Sequence, residues 1–203
     1  MKHVIIYAHP SPKSFSSKLK NALKLTSDER NWETTIRDLY EMKFDPVLWP
    51  VELAQLSKGE VSDEIRKEQE LVLDADIISV IYPLWWAGFP AILKGYIDKV
   101  LAYGFAYKAG SNGIEGLLKN KKVYLFTSMG NTIEQYESKG LIDAFKKIQG
   151  GEIFEFCGMD VQAHQFFPEI PSASDEEINH HIDKALSLFE PNEVIPIVFQ
   201  NDL

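Results

Sequence analysis

The chain has 203 residues, 45% hydrophobic and 25% charged, the composition of an ordinary globular protein long enough to bury a full core. Its net charge of −9 argues against nucleic acid or an anionic membrane as the main partner. One cysteine, Cys157, excludes a disulfide framework or a cysteine metal cluster, and no apolar run approaches the roughly 20 residues of a membrane span.

Strand and helix patterns alternate along the chain. Residues 3–8 (His-Val-Ile-Ile-Tyr-Ala) form a short apolar strand. The N-terminus enters it without a charged leader or apolar h-region, so no signal peptide is expected and the expected location is the cytoplasm. Polar turn residues 9–13 precede a helix from about Phe15 to Leu25, and residues 32–40 alternate like an edge strand. Residues 41–60 read as a long irregular connection punctuated by Pro46 and Pro50, and Ser62 starts a helix reaching about Leu73. Residues 77–82, mostly β-branched or aromatic, read as a strand buried on both faces and lead into a helix over 90–102. A fourth strand is expected at 122–127, a helix at 133–148 and a fifth strand at 152–157. Ser174-Asp-Glu-Glu177 is a capping-box start for a last helix reaching Phe189. With no repeat, linker or low-complexity tract, one domain over 1–203 is expected, its apolar tail 191–203 packing on the sheet or across a dimer.

Five strands with helices between them imply right-handed crossovers and a doubly wound parallel α/β sheet, helices on both faces. The expected strand order is 2-1-3-4-5, the flavodoxin-like arrangement, whose ligand crevice opens between strands 1 and 3. That order brings together three loops, 9–17, 83–90 and 127–136.

Each loop carries its own chemistry. The first, with His9 and Ser14, Ser16 and Ser17, offers hydroxyls and free amides at a helix N-terminus, which attract anions; Ser14 also suits plain helix capping. It contains neither a dinucleotide glycine fingerprint nor a Walker lysine motif. The second, Pro83-Leu84-Trp85-Trp86-Ala87-Gly88-Phe89-Pro90, ends the buried strand with two indoles, which point to a flat aromatic ligand. Neighbouring side chains of an extended segment alternate faces, so one tryptophan is expected in the core and one over the ligand. Backbone amides at Trp85, Trp86 and Ala87 are expected to face the polar edge of a ring. The third loop, with Ser128, Met129, Gly130 and Asn131, leaves strand 4 with small residues that permit close backbone approach, and Tyr136 follows it.

At these residues the chain resembles the flavodoxin-like NAD(P)H:quinone oxidoreductase family, which includes bacterial quinone reductases and the ancillary flavoproteins of potassium efflux systems. The resemblance covers nearly the whole length. Its most specific segment is Pro83-Leu84-Trp85-Trp86-Ala87-Gly88-Phe89-Pro90-Ala91, with Gly104-Phe105-Ala106-Tyr107, the opening Ala8-His9 with Ser14-Phe15-Ser16, and Phe156-Cys157-Gly158 matching in order. It implies a flavin with its phosphate against His9, Ser14, Phe15, Ser16 and Ser17. The ring would lie on Pro83, Leu84, Trp85, Trp86 and Ala87, closed by Ser128, Met129, Gly130 and Asn131. It also implies a homodimer in which Phe105 and Tyr107 of one subunit cover the other's flavin, and a tyrosine, here Tyr136, near the pyrimidine end. Animal members place a histidine six residues beyond that tyrosine in a proton relay; here the position is Ile142, so the relay does not carry over. FAD-binding relatives carry a still longer segment after strand 2 and a basic residue near the start of the last helix, where this chain reads Asp175-Glu176-Glu177; the resemblance therefore implies FMN, with FAD as the alternative.

The expected activity is two-electron, ping-pong transfer of hydride from NADPH or NADH through the flavin to quinones, nitroaromatics or azo dyes, with Trp86, Phe105, Tyr107 and Tyr136 forming the slot. Two other readings compete: a flavin-loaded regulatory subunit of a membrane transporter, and a one-electron carrier, which lacks support because a hydroxyl-rich, glycine-containing phosphate loop is missing. His164, His180 and His181 show no ligand spacing with carboxylates and are read as ordinary packed or surface histidines; no metal is expected. Cys157 is read as inert core.

Overall fold

A computed structural model describes residues 1–111 and 113–190. The chain runs β1 (Lys2–Tyr7), α1 (Phe15–Glu29), β2 (Glu33–Asp38), α2 (Pro50–Leu56), α3 (Asp63–Asp74), β3 (Ile77–Pro83) and α4 (Ala91–Val100). It continues with a small hairpin, β4 (Tyr107–Gly110) and β5 (Gly113–Gly116), then β6 (Lys122–Ser128), α5 (Ile133–Glu137) and α6 (Leu141–Phe145). A π-helical segment (Lys146–Glu155), β7 (Asp160–Phe167) and α7 (Asp175–Leu186) follow. The five-stranded parallel sheet has the order β2-β1-β3-β6-β7, which is the expected 2-1-3-4-5 once the separate hairpin is set aside.

The sheet divides two cores. On one face Ile6, Ile78, Val80, Tyr82 and Leu125 pack under α3 and α4 with Leu93 and Tyr96. On the other, Ile5, Tyr7, Ile77, Ile81 and Phe126 pack under α1 and α7 with Leu19, Leu23 and Phe189. Every residue of β3 is buried, as its apolar run requires for a strand covered on both sides. Helix starts follow their serine caps: Ser14 accepts from the Ser17 amide, Ser62 from Ile65, and Ser174 forms a capping box with Glu177.

Three expectations are corrected. Residues 152–157 are not the fifth strand; most of them end the π-helical segment, with Phe154 and Cys157 buried on one helical face while Phe156 is exposed. The fifth strand is β7, a bulged edge strand in which the register jumps between Val161 and Ala163, so only half its residues needed to be apolar. The helix expected over 133–148 is broken at Gly140, which takes a left-handed φ of 66° between α5 and α6. The connection 41–60 contains α2, seated by a Lys99–Glu52 ion pair of 2.9 Å in which Lys99 is almost fully buried. The tail 191–203 lies outside the described residues.

Candidate active site

The crevice lies beyond the carboxyl ends of β1, β3 and β6, and contacts between loops define it. The Leu84 amide donates to the Ser128 carbonyl at 2.8 Å, joining the second and third loops. Ser16 Oγ and Ser128 Oγ lie 3.5 Å apart, bringing the first loop to the third. His9 and Trp85 rings stand 5.9 Å apart, joining the first loop to the second.

In the first loop Ser14 is the N-cap of a 15-residue helix with no acidic residue in its first turn. The Ser17 amide is taken by Ser14, whereas those of Phe15 and Ser16 have no acceptor among the described residues. Two free amides at a positive helix end, beside the Ser16 and Ser17 hydroxyls, have the chemistry to seat a phosphate, whereas the Ser14 hydroxyl donates to the Ser11 carbonyl at 2.8 Å and shapes the turn instead. The Phe15 side chain is not part of it, because its ring is buried 4.9 Å from Phe167. His9 Nδ1 accepts from the Ser11 amide at 3.0 Å, which leaves Nε2 as the N–H donor. Partial burial lowers the His9 pKa, so the ring is held neutral.

In the second loop Trp85 and Gly88 exchange both backbone hydrogen bonds, at 3.1 and 3.0 Å, around Trp86 and Ala87. These central residues have φ values of 50° and 58°, the primed-turn geometry normally given to Asn-Gly. The Trp85 amide is therefore consumed by the turn, correcting the expectation that it faces a ligand; the Trp86 and Ala87 amides are unpaired among the described residues. Neither indole enters the core: Trp85 is 42% exposed and Trp86 is 102% exposed. The left-handed turn removes the alternation of faces on which a buried tryptophan was expected.

The third loop separates backbone from side-chain roles. Met129 is buried, with its amide donating to Phe167 at 2.8 Å, so it anchors the loop to β7. Gly130 and Asn131 are exposed, and a Cβ on Gly130 would meet nothing within 4 Å, which leaves open space above the loop. Tyr136, half-buried on α5, packs edge-on to Phe145 at 6.1 Å. Phe105 and Tyr107 stand outside these three loops, both half-buried, with Tyr107 at 5.1 Å from Phe156.

Sequence reasoning missed a cleft of about 290 Å³ flanking the phosphate seat, lined by Tyr7, His9, Ser17, Lys20, Asp38 and Tyr40. Lys20 pairs with Asp38 at 3.6 Å and lies over the Tyr7 ring at 4.6 Å. Lys20 falls on the α1 face toward β2, a signal available only once the order of β1 and β2 is known.

The described residues fit a flavin: an anion seat at α1, a flat exposed aromatic turn with two free amides, and open space over Gly130. The family model for the flavodoxin-like fold matches residues 1–188. The chain belongs to this flavodoxin-like family. An uncharacterized NAD(P)H oxidoreductase of Haemophilus influenzae is 39% identical over 177 residues, covering 87% of this chain and 88% of that protein. The human ribosyldihydronicotinamide dehydrogenase [quinone] is 35% identical over 199 residues, covering 87% and 85% respectively. Among solved structures, the NAD(P)H:quinone oxidoreductase of Methanothermobacter marburgensis superposes with a TM-score of 0.83 at 28% identity, covering 92% of this chain and 96% of that one. The resemblance read from the Pro83–Ala91 segment thus names the same group of flavodoxin-like proteins.

Proposed function

We propose that this chain is a flavin-dependent NAD(P)H:quinone oxidoreductase. The observation that carries the reading is the meeting, at one sheet edge, of a helix N-terminus with two free amides and an exposed double-tryptophan turn. A bound flavin would supply the two-electron chemistry between NADPH or NADH and a quinone, nitroaromatic or azo acceptor. The residues of the chain bind, orient and shield. The Ser16 and Ser17 hydroxyls, the Phe15 and Ser16 amides and His9 Nε2 hold the phosphate, and Ser14, bonded to the Ser11 carbonyl, sets the turn that presents them. The Trp86 and Ala87 amides meet the polar edge of the ring, and Trp86 with Tyr136 borders a slot that takes nicotinamide and acceptor in turn. Tyr136 offers its phenolic O–H at the pyrimidine end, and Ile142, buried and without a titratable group, gives it no proton relay to join.

FMN is the proposed cofactor. Glu169, Glu176 and Glu177 line the open pocket beside the start of α7 together with His180 and His181, so a second phosphate there would meet three carboxylates and no lysine or arginine in the lining. The proposed assembly is a homodimer, in which Phe105 and Tyr107 approach the flavin of the partner. The test is the absorbance spectrum of the purified protein, followed by extraction and chromatography of any yellow cofactor. FMN that bleaches with NADPH and recolours with a benzoquinone supports the reading; a protein that refuses both FMN and FAD overturns it.

A further inference from the structure

Directly beneath the two ring-binding loops is a buried polar cluster that the proposed reaction does not use. Tyr82 and Thr127 are register partners on β3 and β6, and each immediately precedes a loop of the site, at Pro83 and Ser128. From β7, His164 Nε2 reaches both hydroxyls, at 3.2 Å to Tyr82 and 3.0 Å to Thr127. The Tyr82 hydroxyl donates to Gln149 Oε1 at 2.6 Å. Its single proton being spent there, the tyrosine oxygen is left as an acceptor for the ring.

These contacts fix the state of His164. Its Nδ1 is buried without a partner among the described residues, and a buried N–H with no acceptor is costlier than a bare lone pair, so the proton sits on Nε2 and is shared between the two hydroxyls. Burial, aided by the Lys146 charge, lowers the pKa to about 3 and keeps the ring neutral. The Phe166 ring lies 4.1 Å from the imidazole and Phe145 lies 6.2 Å from Phe166, with Tyr136 beyond it. Loop 83–90, loop 128–131 and Tyr136 are thus all referred to one imidazole. An apolar side chain would fill this space without uniting the three strands, so core packing alone does not require a histidine here.

We propose that His164 is a positioning residue for the flavin ring, setting the spacing of the Pro83 and Ser128 loops through its shared Nε2 hydrogen bond to Tyr82 and Thr127. The inference rests on the flavin reading above. Binding of FMN to the apoprotein is measured by quenching of flavin fluorescence, and ring geometry by the visible circular dichroism of the bound flavin, for wild type, His164→Leu, His164→Gln and Thr127→Val. Apoprotein melting is recorded for each. The expected result is FMN binding about 10-fold weaker in His164→Leu with an altered visible dichroism band, a smaller loss of the same kind in Thr127→Val, and recovery in His164→Gln, whose amide offers two donors. Unchanged affinity and dichroism in both His164→Leu and Thr127→Val overturn the inference, even if melting falls, because the cluster then serves the core alone. Should His164→Leu fail to fold, Thr127→Val and His164→Gln decide alone. Failure of wild type to bind FMN or FAD is a different outcome: it removes the flavin reading itself.

Discussion

Trp86 and Ala87 hold left-handed backbone angles that an L-residue adopts at a cost of roughly 1–2 kcal/mol, and they do so at the tip of the loop proposed to meet the flavin ring. Ala87→Gly removes that strain while loosening the unfolded chain, so apoprotein stability is expected to rise by about 0.5–1 kcal/mol. Urea unfolding measures this, and FMN affinity is expected to fall as the turn loses its set shape. Ser14→Ala removes the α1 cap and the hydroxyl's bond to the Ser11 carbonyl together; about 1 kcal/mol of stability is expected to be lost, with weaker binding of free FMN in titration as the turn before α1 loosens. His3 is buried between Ser27 and Ser79, with hydrogen bonds of 2.7 and 2.8 Å. Burial lowers its pKa from 6.5 to about 4. Between those values the unfolded chain binds a proton that the fold does not. Stability is therefore complete above pH 6.5 and declines toward pH 4 by about 1.4 kcal/mol per pH unit. Urea midpoints across this window are expected to fall in wild type and to fall less steeply in His3→Gln, where the slope that remains comes from the other buried histidine, His164.

Among elements, α4 shows how a helix is chosen by its contact and not by propensity. A Cβ at Gly95 would lie 2.2 Å from the Pro46 carbonyl oxygen and 2.3 Å from its Cα, both backbone atoms that cannot rotate away. Gly95→Ala, which would stabilise an isolated helix by about 1 kcal/mol, is expected to cost about 1–3 kcal/mol here. Thermal unfolding with and without FMN reads the change. The same contact seats the long connection 41–60 against α4 at Pro46. Elements with one dominant signal were legible in the sequence: β3 from its apolar run, α3 and α7 from their serine caps. The order of the sheet followed, and with it the meeting of three loops. What was illegible depended on partners. Residues 152–157 alternate locally like a strand, yet Phe154 and Cys157 are buried on a helical face, while β7 is polar enough to hide because it is an edge. The Trp85 amide was misassigned because a primed turn formed by Trp-Ala has no sequence signature. His164 looked ordinary until β7 placed it under both loops.

For the whole molecule, the exposed faces of Tyr103, Ile114 and Phe156 lie on or beside the β4–β5 hairpin, next to the half-buried Tyr107. If Tyr107 approaches a second subunit's flavin, sedimentation velocity will give a dimer. Tyr107→Asp is then expected to yield monomers with intact FMN binding at the α1 seat but a loss of quinone reduction of about 10-fold or more. A wild-type monomer with full activity would remove the proposed subunit arrangement. No helix among the described residues is long and apolar enough to cross a membrane.

The anchoring of the third loop to the last strand has a consequence for how the protein is made. Ser128 pairs with Phe167, and the Met129 amide is held by the Phe167 carbonyl, so this wall of the crevice cannot be secured until β7 has left the ribosome. The α1 seat emerges early and waits through most of synthesis for the other half of its site. No nascent chain or proteolytic fragment ending short of Phe167 carries the complete crevice, so flavin capture would wait on the last strand, a signal that the sheet has closed.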